Sequence, residues 1–265
     1  MLLNGEFTVR VEDSPMQVIP TNWVQQAVAR WHEREHELKH LKQLVIGADV
    51  AQGGADSAVY APLYETDMFG ELKSYPGRDT PDGPAIVLQL LRHRKDKSLI
   101  VLDGTGGWAG DAYRTLQERH NIDAELCVAS KGSQEWTEDM MFKMANVRSA
   151  MWWGFRNALN PESRYDIALP PDPRLEAQLT APTWFVRGKE LFVESKDDLR
   201  KRLGSSTDEA DPVLMAWFYR DQAILDRARQ RVELVDKYNN PDYDPRNPDA
   251  IHDKEFELDD PLKDW

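Results

Sequence analysis

The sequence predicts an α/β fold, a mixed central sheet flanked by helices on both faces, and three features carry that prediction. Two short apolar runs, Leu44–Val50 and Ser98–Asp103, are rich in branched residues and continuous rather than alternating. Each therefore reads as a central strand buried on both faces. Ser57–Tyr64 follows the first run across a turn and reads as its antiparallel partner. Segments of helical period alternate with the later strands, as helices covering a sheet require.

The elements follow in order. Met1 to about Pro20 is irregular. From Thr21, a candidate N-cap, the residues Trp23, Val24, Ala27, Val28 and Trp31 recur at helical spacing, and the charged stretch 31–42 closes that helix on the surface. Gly53-Gly54 turns the first strand into the second, and a third strand is expected around Leu72–Tyr75. Pro81 and Pro84 open a helix with Ile86, Val87, Leu90 and Leu91 on one face. The second buried strand runs into Gly104-Thr105-Gly106-Gly107, then a helix through Leu116 and a strand at Ala124–Ala129. Met140–Leu159 reads as one long helix stopped by Asn160-Pro161, and Trp184–Val186 with Leu191–Val193 reads as a hairpin around Gly188. The last strong element runs from Asp208 past Tyr219 towards Val235. The expected organisation is a connecting segment and helix over 1–42, an α/β domain over 43–235, and a disordered acidic tail over 236–265.

Composition narrows the function. With 265 residues, 41% of them hydrophobic, the chain can bury one sizeable core. No apolar run reaches the ~18 residues of a membrane helix, and no signal-peptide pattern opens the chain, so a membrane role is not expected. The lone Cys127 sits in an apolar stretch and reads as a small buried hydrophobe, which fits a reducing cytoplasm. The net charge of −13 argues against a surface built for tight phosphate binding. From Asp236 onwards, however, ten acids face four bases, so close to half of the excess lies in the tail. A carboxylate cluster that binds cations would account for more of it.

Three carboxylates stand where carboxylates are costly. Asp49 and Asp103 each end an apolar strand. Either could simply cap a loop, but neighbouring strands of one sheet would bring the two side chains together. Like charges at that spacing repel unless a cation lies between them, and such a pair is a half-site for Mg²⁺ or Mn²⁺. In Ser205-Ser206-Thr207-Asp208-Glu209-Ala210-Asp211, Thr207 or Ser206 would cap a helix, and first-turn acids suit its dipole. Asp211 lies one turn in, on the face that should pack on the sheet, and could complete the cluster.

At these residues the chain resembles the nuclease domain of tailed-phage terminase large subunits, a ribonuclease H-like fold. Val45–Asp56 resembles the first acidic motif of that family, Val101–Gly107 the second, and Ser195–Gly204 running into Thr207–Asp211 the third. Ser-Thr-Asp stands where the family usually carries Ser-Pro-Asp, and Pro212 follows Asp211 where it carries Ala. Gly5-Glu6-Phe7 and Val18-Ile19-Pro20 resemble the connection out of the family's ATPase domain, and Asn146–Trp153 the helix before its third motif. No G-x-x-x-x-G-K-[ST] motor motif is present. The resemblance implies endonucleolytic cutting of double-stranded phage DNA during packaging, in the cytoplasm of the infected host. It also implies an ATPase domain, a portal and a small terminase subunit as partners. Asp49, Asp103 and Asp211 match the acidic triad, with Asp208 and Asp56 as further candidates.

The expected chemistry uses two Mg²⁺ or Mn²⁺ ions roughly 3.5–4 Å apart, bridged by Asp49 and completed by Asp103 and Asp211, with Asp208 as a further ligand. Lys196, Arg200, Lys201 and Arg202 read either as DNA phosphate contacts or as a solvated basic face. Arg92-His93-Arg94-Lys95 ends a helix and reads as dipole compensation, while Trp152, Trp153 and Trp217 read as core. His32, His36 and His40 lie on a charged surface helix, which disfavours zinc there. Three other readings stand beside the nuclease: a resolvase of the same fold acting on branched DNA, a sugar-kinase-like ATPase, and a docking module with a vestigial triad.

Overall fold

The computed structural model describes residues 13–51, 57–107, 109–204 and 207–239. The chain opens with α1 (Thr21–Arg34), β1 (Gln43–Asp49), β2 (Ser57–Tyr64), and the short β3 (Met68–Phe69) and β4 (Lys73–Pro76). Next come α2 (Gly83–His93), β5 (Leu99–Asp103), α3 (Gly110–His120), β6 (Ala124–Cys127), β7 (Lys143–Met144), α4 (Val147–Leu159) and α5 (Pro173–Thr180). The hairpin β8 (Trp184–Arg187) and β9 (Glu190–Val193) leads into α6 (Lys196–Leu203), α7 (Ala210–Phe218) and α8 (Arg220–Asn239). The chain divides after Ala223, and the rest of α8 belongs to a second unit in which Leu225, Val232 and Val235 are exposed.

The main sheet is mixed, with strand order β3-β2-β1-β5-β6 and β4 also paired to β2. Strand β1 runs antiparallel to β2 and parallel to β5, which is parallel to β6 in turn. A separate three-stranded sheet has the order β7-β9-β8.

Alternation along the strands sorts side chains into two cores. Ile46 and Ala48 of β1, Ala58 and Tyr60 of β2, and Ile100 and Leu102 of β5 pack with Ile86, Val87 and Leu90 of α2 and Ala112 and Leu116 of α3. Val45, Ala61, Leu63 and Val101 point the other way, into a larger core with residues of α1, α4, α5 and α7. Burial on both faces is what the continuous apolar runs predict. On the larger-core face, β1 carries no side chain at Gly47. A methyl group there would overlap the Pro212 carbonyl oxygen and lie 3.2 Å from the Ala216 nitrogen. The missing side chain lets α7 lie directly on the strand. Cys127 is buried as expected, and burial first, then Asp103 and Asp211, push its thiol up to about 12.

Several local expectations are corrected. Thr21 does not cap α1; it is the first helical residue, and its backbone N–H donates to Asp13 at 2.8 Å. The helix expected from Met140 begins only at Val147, where the Asn146 side chain accepts from the Ser149 N–H at 2.8 Å. Met140 has a left-handed φ of 58°, and the turn closes on itself through the Thr137 N–H to the Phe142 carbonyl at 2.8 Å. The methionines mimic a helical stripe, yet Met140 and Met141 are exposed. The element expected from Asp208 towards Val235 is two helices, α7 and α8, parted at Tyr219. Strands β3 and β7 and helices α5 and α6 were not foreseen, each being too short to show a period. Gly53-Gly54, Asp56, Ser205, Ser206, the first twelve residues and the tail beyond Asn239 lie outside the described residues.

Candidate metal centre

Asp49 ends β1 and Asp103 ends β5. The two strands are parallel, with Ala48 opposite Leu102, so the next residue of each stands beside the other at the strand ends. Both share the parity of Gly47 and Val101 and so face the side that α7 covers. Asp211, the second residue of α7, immediately precedes Pro212, whose backbone lies against Gly47.

The three carboxylates meet on one cation. The Lys196 Nζ lies 3.1 Å from Asp49 Oδ2, 3.6 Å from Asp103 Oδ2 and 2.6 Å from Asp211 Oδ2. Lys196 is the first residue of α6, whose start is fixed by Ser195: its hydroxyl accepts from the Asp198 N–H at 3.1 Å. Asp211 carries further partners. Arg148 Nη1 donates to its Oδ1 at 3.2 Å, and the Thr207 hydroxyl donates to its Oδ2 at 2.9 Å. Arg148 is itself held by its Nε, which donates to the Glu194 carbonyl at 2.9 Å, and its guanidinium lies 5.4 Å from the Trp152 ring centre. Thr207 thus serves Asp211 rather than capping α7. That cap is the Gln178 side-chain oxygen, which accepts from the Glu209 and Ala210 N–H groups at 2.8 and 3.0 Å.

Burial raises the Asp49 carboxyl to about 7; Lys196 opposes the rise, while Asp103, Asp211 and Asp208 add to it. Burial also acts on Asp211, but Lys196 and Arg148 outweigh it and hold that carboxyl below the usual range. Burial would lower the Lys196 ammonium, yet the three aspartates hold it well above its ordinary value. Three carboxylates against two cations leave one negative charge, which a proton on Asp49 or a divalent cation would offset.

A cleft of about 620 Å³ opens at this point, lined among others by the three aspartates, Arg148, Lys196 and Arg200. Asp208 lines it too. Of the four basic residues read together from sequence, only Lys196 and Arg200 face the cleft. Lys196 meets the three carboxylates at the cleft wall. Arg202 donates to Glu194 and to the Ala181 carbonyl, and Lys201 pairs with Asp198 at 3.5 Å. Sequence reasoning missed the roles of Arg148 and Gln178. Arg148 shares a helical face with Trp152, Phe155 and Leu159 at i+4, i+7 and i+11, and that placement is its signal, since a buried guanidinium needs partners. Nothing local marks Gln178. The His32, His36 and His40 spacing is broken because α1 ends at Arg34. Among the described residues no three His, Cys, Asp or Glu side chains are spaced as a formed metal site; the three aspartates are held on an ammonium instead.

The mixed sheet, flanked by helices on both faces, is the ribonuclease H-like fold expected from the sequence. Solved structures show the same fold. The nuclease domain of the large terminase subunit gp2 of bacterial virus Sf6 is similar at a TM-score of 0.59 and 15% identity, covering 76% of this chain and 98% of that one. A lysine-to-alanine variant of that domain, with manganese and beta-thujaplicinol, is similar at 0.58 and 16% identity over the same shares. The same variant with calcium is similar at 0.58 and 16% identity, again covering 76% and 98%. No protein-family model and no curated protein matches the chain.

Proposed function

We propose that this chain is a metal-dependent endonuclease that cuts double-stranded DNA during phage genome packaging, with Asp49, Asp103 and Asp211 as its metal ligands. The observation that carries the reading is the convergence of three carboxylate oxygens, each on a different element, within 3.6 Å of one cationic nitrogen. Oxygen-only donors of this charge suit hard divalent cations such as Mg²⁺ or Mn²⁺. Lys196 is the stand-in cation that shows the oxygens already aimed at a common point. The likeness to a terminase nuclease domain that binds manganese supports the same reading.

Asp49, Asp103 and Asp211 would hold divalent cations, two in the mechanism we favour, which when bound would supply an activated water and a counter-charge for the leaving oxygen. The chain's own residues set the stage for that chemistry. Asp49 and Asp103 sit at the ends of two paired parallel strands, which hold their backbones side by side, and their oxygens would exchange Lys196 for metal. Thr207 and Arg148 fix the Asp211 carboxylate. Lys196 balances the carboxylates, and its flexible four-carbon stem would let the ammonium reach a phosphate oxygen in the cleft. Arg200 lines the same cleft and is placed to meet the DNA backbone, a contact that positions without reading sequence. Packaging partners, namely an ATPase motor, a portal and a small subunit, belong to this reading through the resemblance of the sequence motifs alone. Among the described residues no helix is long and apolar enough to cross a membrane.

The test is nicking and linearisation of supercoiled plasmid in Mn²⁺, Mg²⁺ or EDTA, with Asp49→Asn and Asp211→Asn alongside. Cutting that needs metal and is lost in both variants supports the assignment. Folded protein that cuts in no metal overturns it in favour of a docking module.

A further inference from the structure

The two oxygens of Asp211 are used differently. Oδ2 faces the common cation and also accepts from Thr207, whereas Oδ1 is taken by Arg148 Nη1 at 3.2 Å. Arg148 is not a mobile surface cation. Its side chain is only 8% exposed, its Nε is tied to the Glu194 carbonyl, and its guanidinium lies against Trp152. Its Nη2 is buried with no hydrogen-bond partner. A buried guanidinium with one nitrogen unsatisfied is placed for the contacts it does make, here the backbone of the segment entering α6 and one oxygen of Asp211.

From this geometry we infer that Arg148 is a positioning residue that limits Asp211 to one ligand oxygen and so sets which divalent cation the site prefers. The inference rests on the metal-site reading above and deepens it. Small cations such as Mg²⁺ and Mn²⁺ demand near-octahedral shells and are served by single carboxylate oxygens. Ca²⁺ takes six to eight oxygens at longer distance and readily uses both oxygens of one carboxylate. With one lone-pair site of Oδ1 taken by the Arg148 guanidinium, the second contact that would favour Ca²⁺ competes with a charged hydrogen bond. Because the guanidinium is anchored on the backbone and a ring, the carboxylate cannot rotate to free Oδ1 without breaking a charged, buried hydrogen bond.

The experiment is equilibrium binding of Mn²⁺ and Ca²⁺, each alone, to the full chain by titration calorimetry, with no DNA present. Arg148→Met keeps an apolar stem against Trp152 and removes every donor. Arg148→Gln is too short to reach Asp211 and makes the same comparison should the methionine variant not fold. The wild-type chain is expected to prefer Mn²⁺, and in either variant the Ca²⁺-to-Mn²⁺ affinity ratio should rise on the order of tenfold. Arg148→Lys, which returns a cation to Oδ1, should bring the ratio back towards the wild-type value, a rescue that a purely structural role would not give. An unchanged ratio in the folded Met or Gln variant overturns the inference and leaves the metal site standing. A wild-type chain that binds neither ion overturns the metal-site reading and this inference with it.

Discussion

Gly47 lies beneath Pro212: a side-chain carbon at 47 would overlap the Pro212 carbonyl oxygen and come within 2.9 Å of its carbonyl carbon. That contact is backbone against backbone, so neither partner can swing aside. It brings the first turn of α7 onto β1 and sets Asp211 beside Asp49. Gly47→Ala is therefore expected to push α7 off the strand. Overpacking of this kind costs ~1–3 kcal/mol, and displacing Asp211 should weaken Mn²⁺ binding on the order of tenfold. Thermal melting and Mn²⁺ titration of the variant check this; wild-type values in both would show that α7 does not depend on the close approach.

Lys196 is the counter-ion of three carboxylates. Lys196→Ala should destabilise the metal-free protein by ~3 kcal/mol, the scale for stripping one partner from a buried ion pair. Saturating Mn²⁺ supplies the missing charge, so the deficit should shrink in metal. Melting curves in EDTA and in Mn²⁺ decide it. A deficit of equal size in both would mean that lysine and metal do not share the carboxylates.

The stability of the metal-free chain should depend on pH through Asp49. Its folded-state pKa is raised to about 7 from 3.8, by burial above all. Between about pH 4 and 7 the folded state therefore holds a proton that the unfolded chain has released, and stability falls as pH rises through that window. Asp49→Asn removes the effect, so its stability relative to wild type should climb from pH 4 to 7 and level off above. Asp211 has the opposite sign. Its pKa is lowered, so its contribution is present above the unfolded value and is lost as pH falls through the folded one. Denaturant midpoints of both proteins across pH 4–8 test the window; a flat difference would remove Asp49 as its source.

Gln178 caps α7 from a helix 31 residues away in sequence. Gln178→Ala leaves the N–H groups of Glu209 and Ala210 without this acceptor and should cost ~1–2 kcal/mol. Because those groups lie just before Asp211, Mn²⁺ affinity should fall as well. Urea unfolding with metal titration separates the two effects, and a variant as stable as wild type would show that water replaces the cap without cost.

How much of this was legible in the sequence varies with the range of the interaction that decides it. Asp49 and Asp103 could be paired on paper, because alternation assigns each to a face and two parallel apolar strands place their ends together. Asp211 could be nominated from its place in the first turn of a helix. The helix expected from Met140 failed for a local reason: a left-handed turn and an asparagine cap interrupt a stripe whose spacing alone looks helical.

The sequence by itself determined the sheet, the faces of its strands and the acidic ends that meet there. These follow from burial acting over a few residues, which leaves a periodic trace. Only the tertiary structure decided which cation meets which carboxylate. Lys196 reaches Asp49 across 147 residues and Arg148 reaches Asp211 across 63. No period records such pairings, because they exist only once α4 and α7 pack together over the sheet and the start of α6 reaches the strand ends. There the cost of burying three like charges selects the arrangement that brings two cations to them.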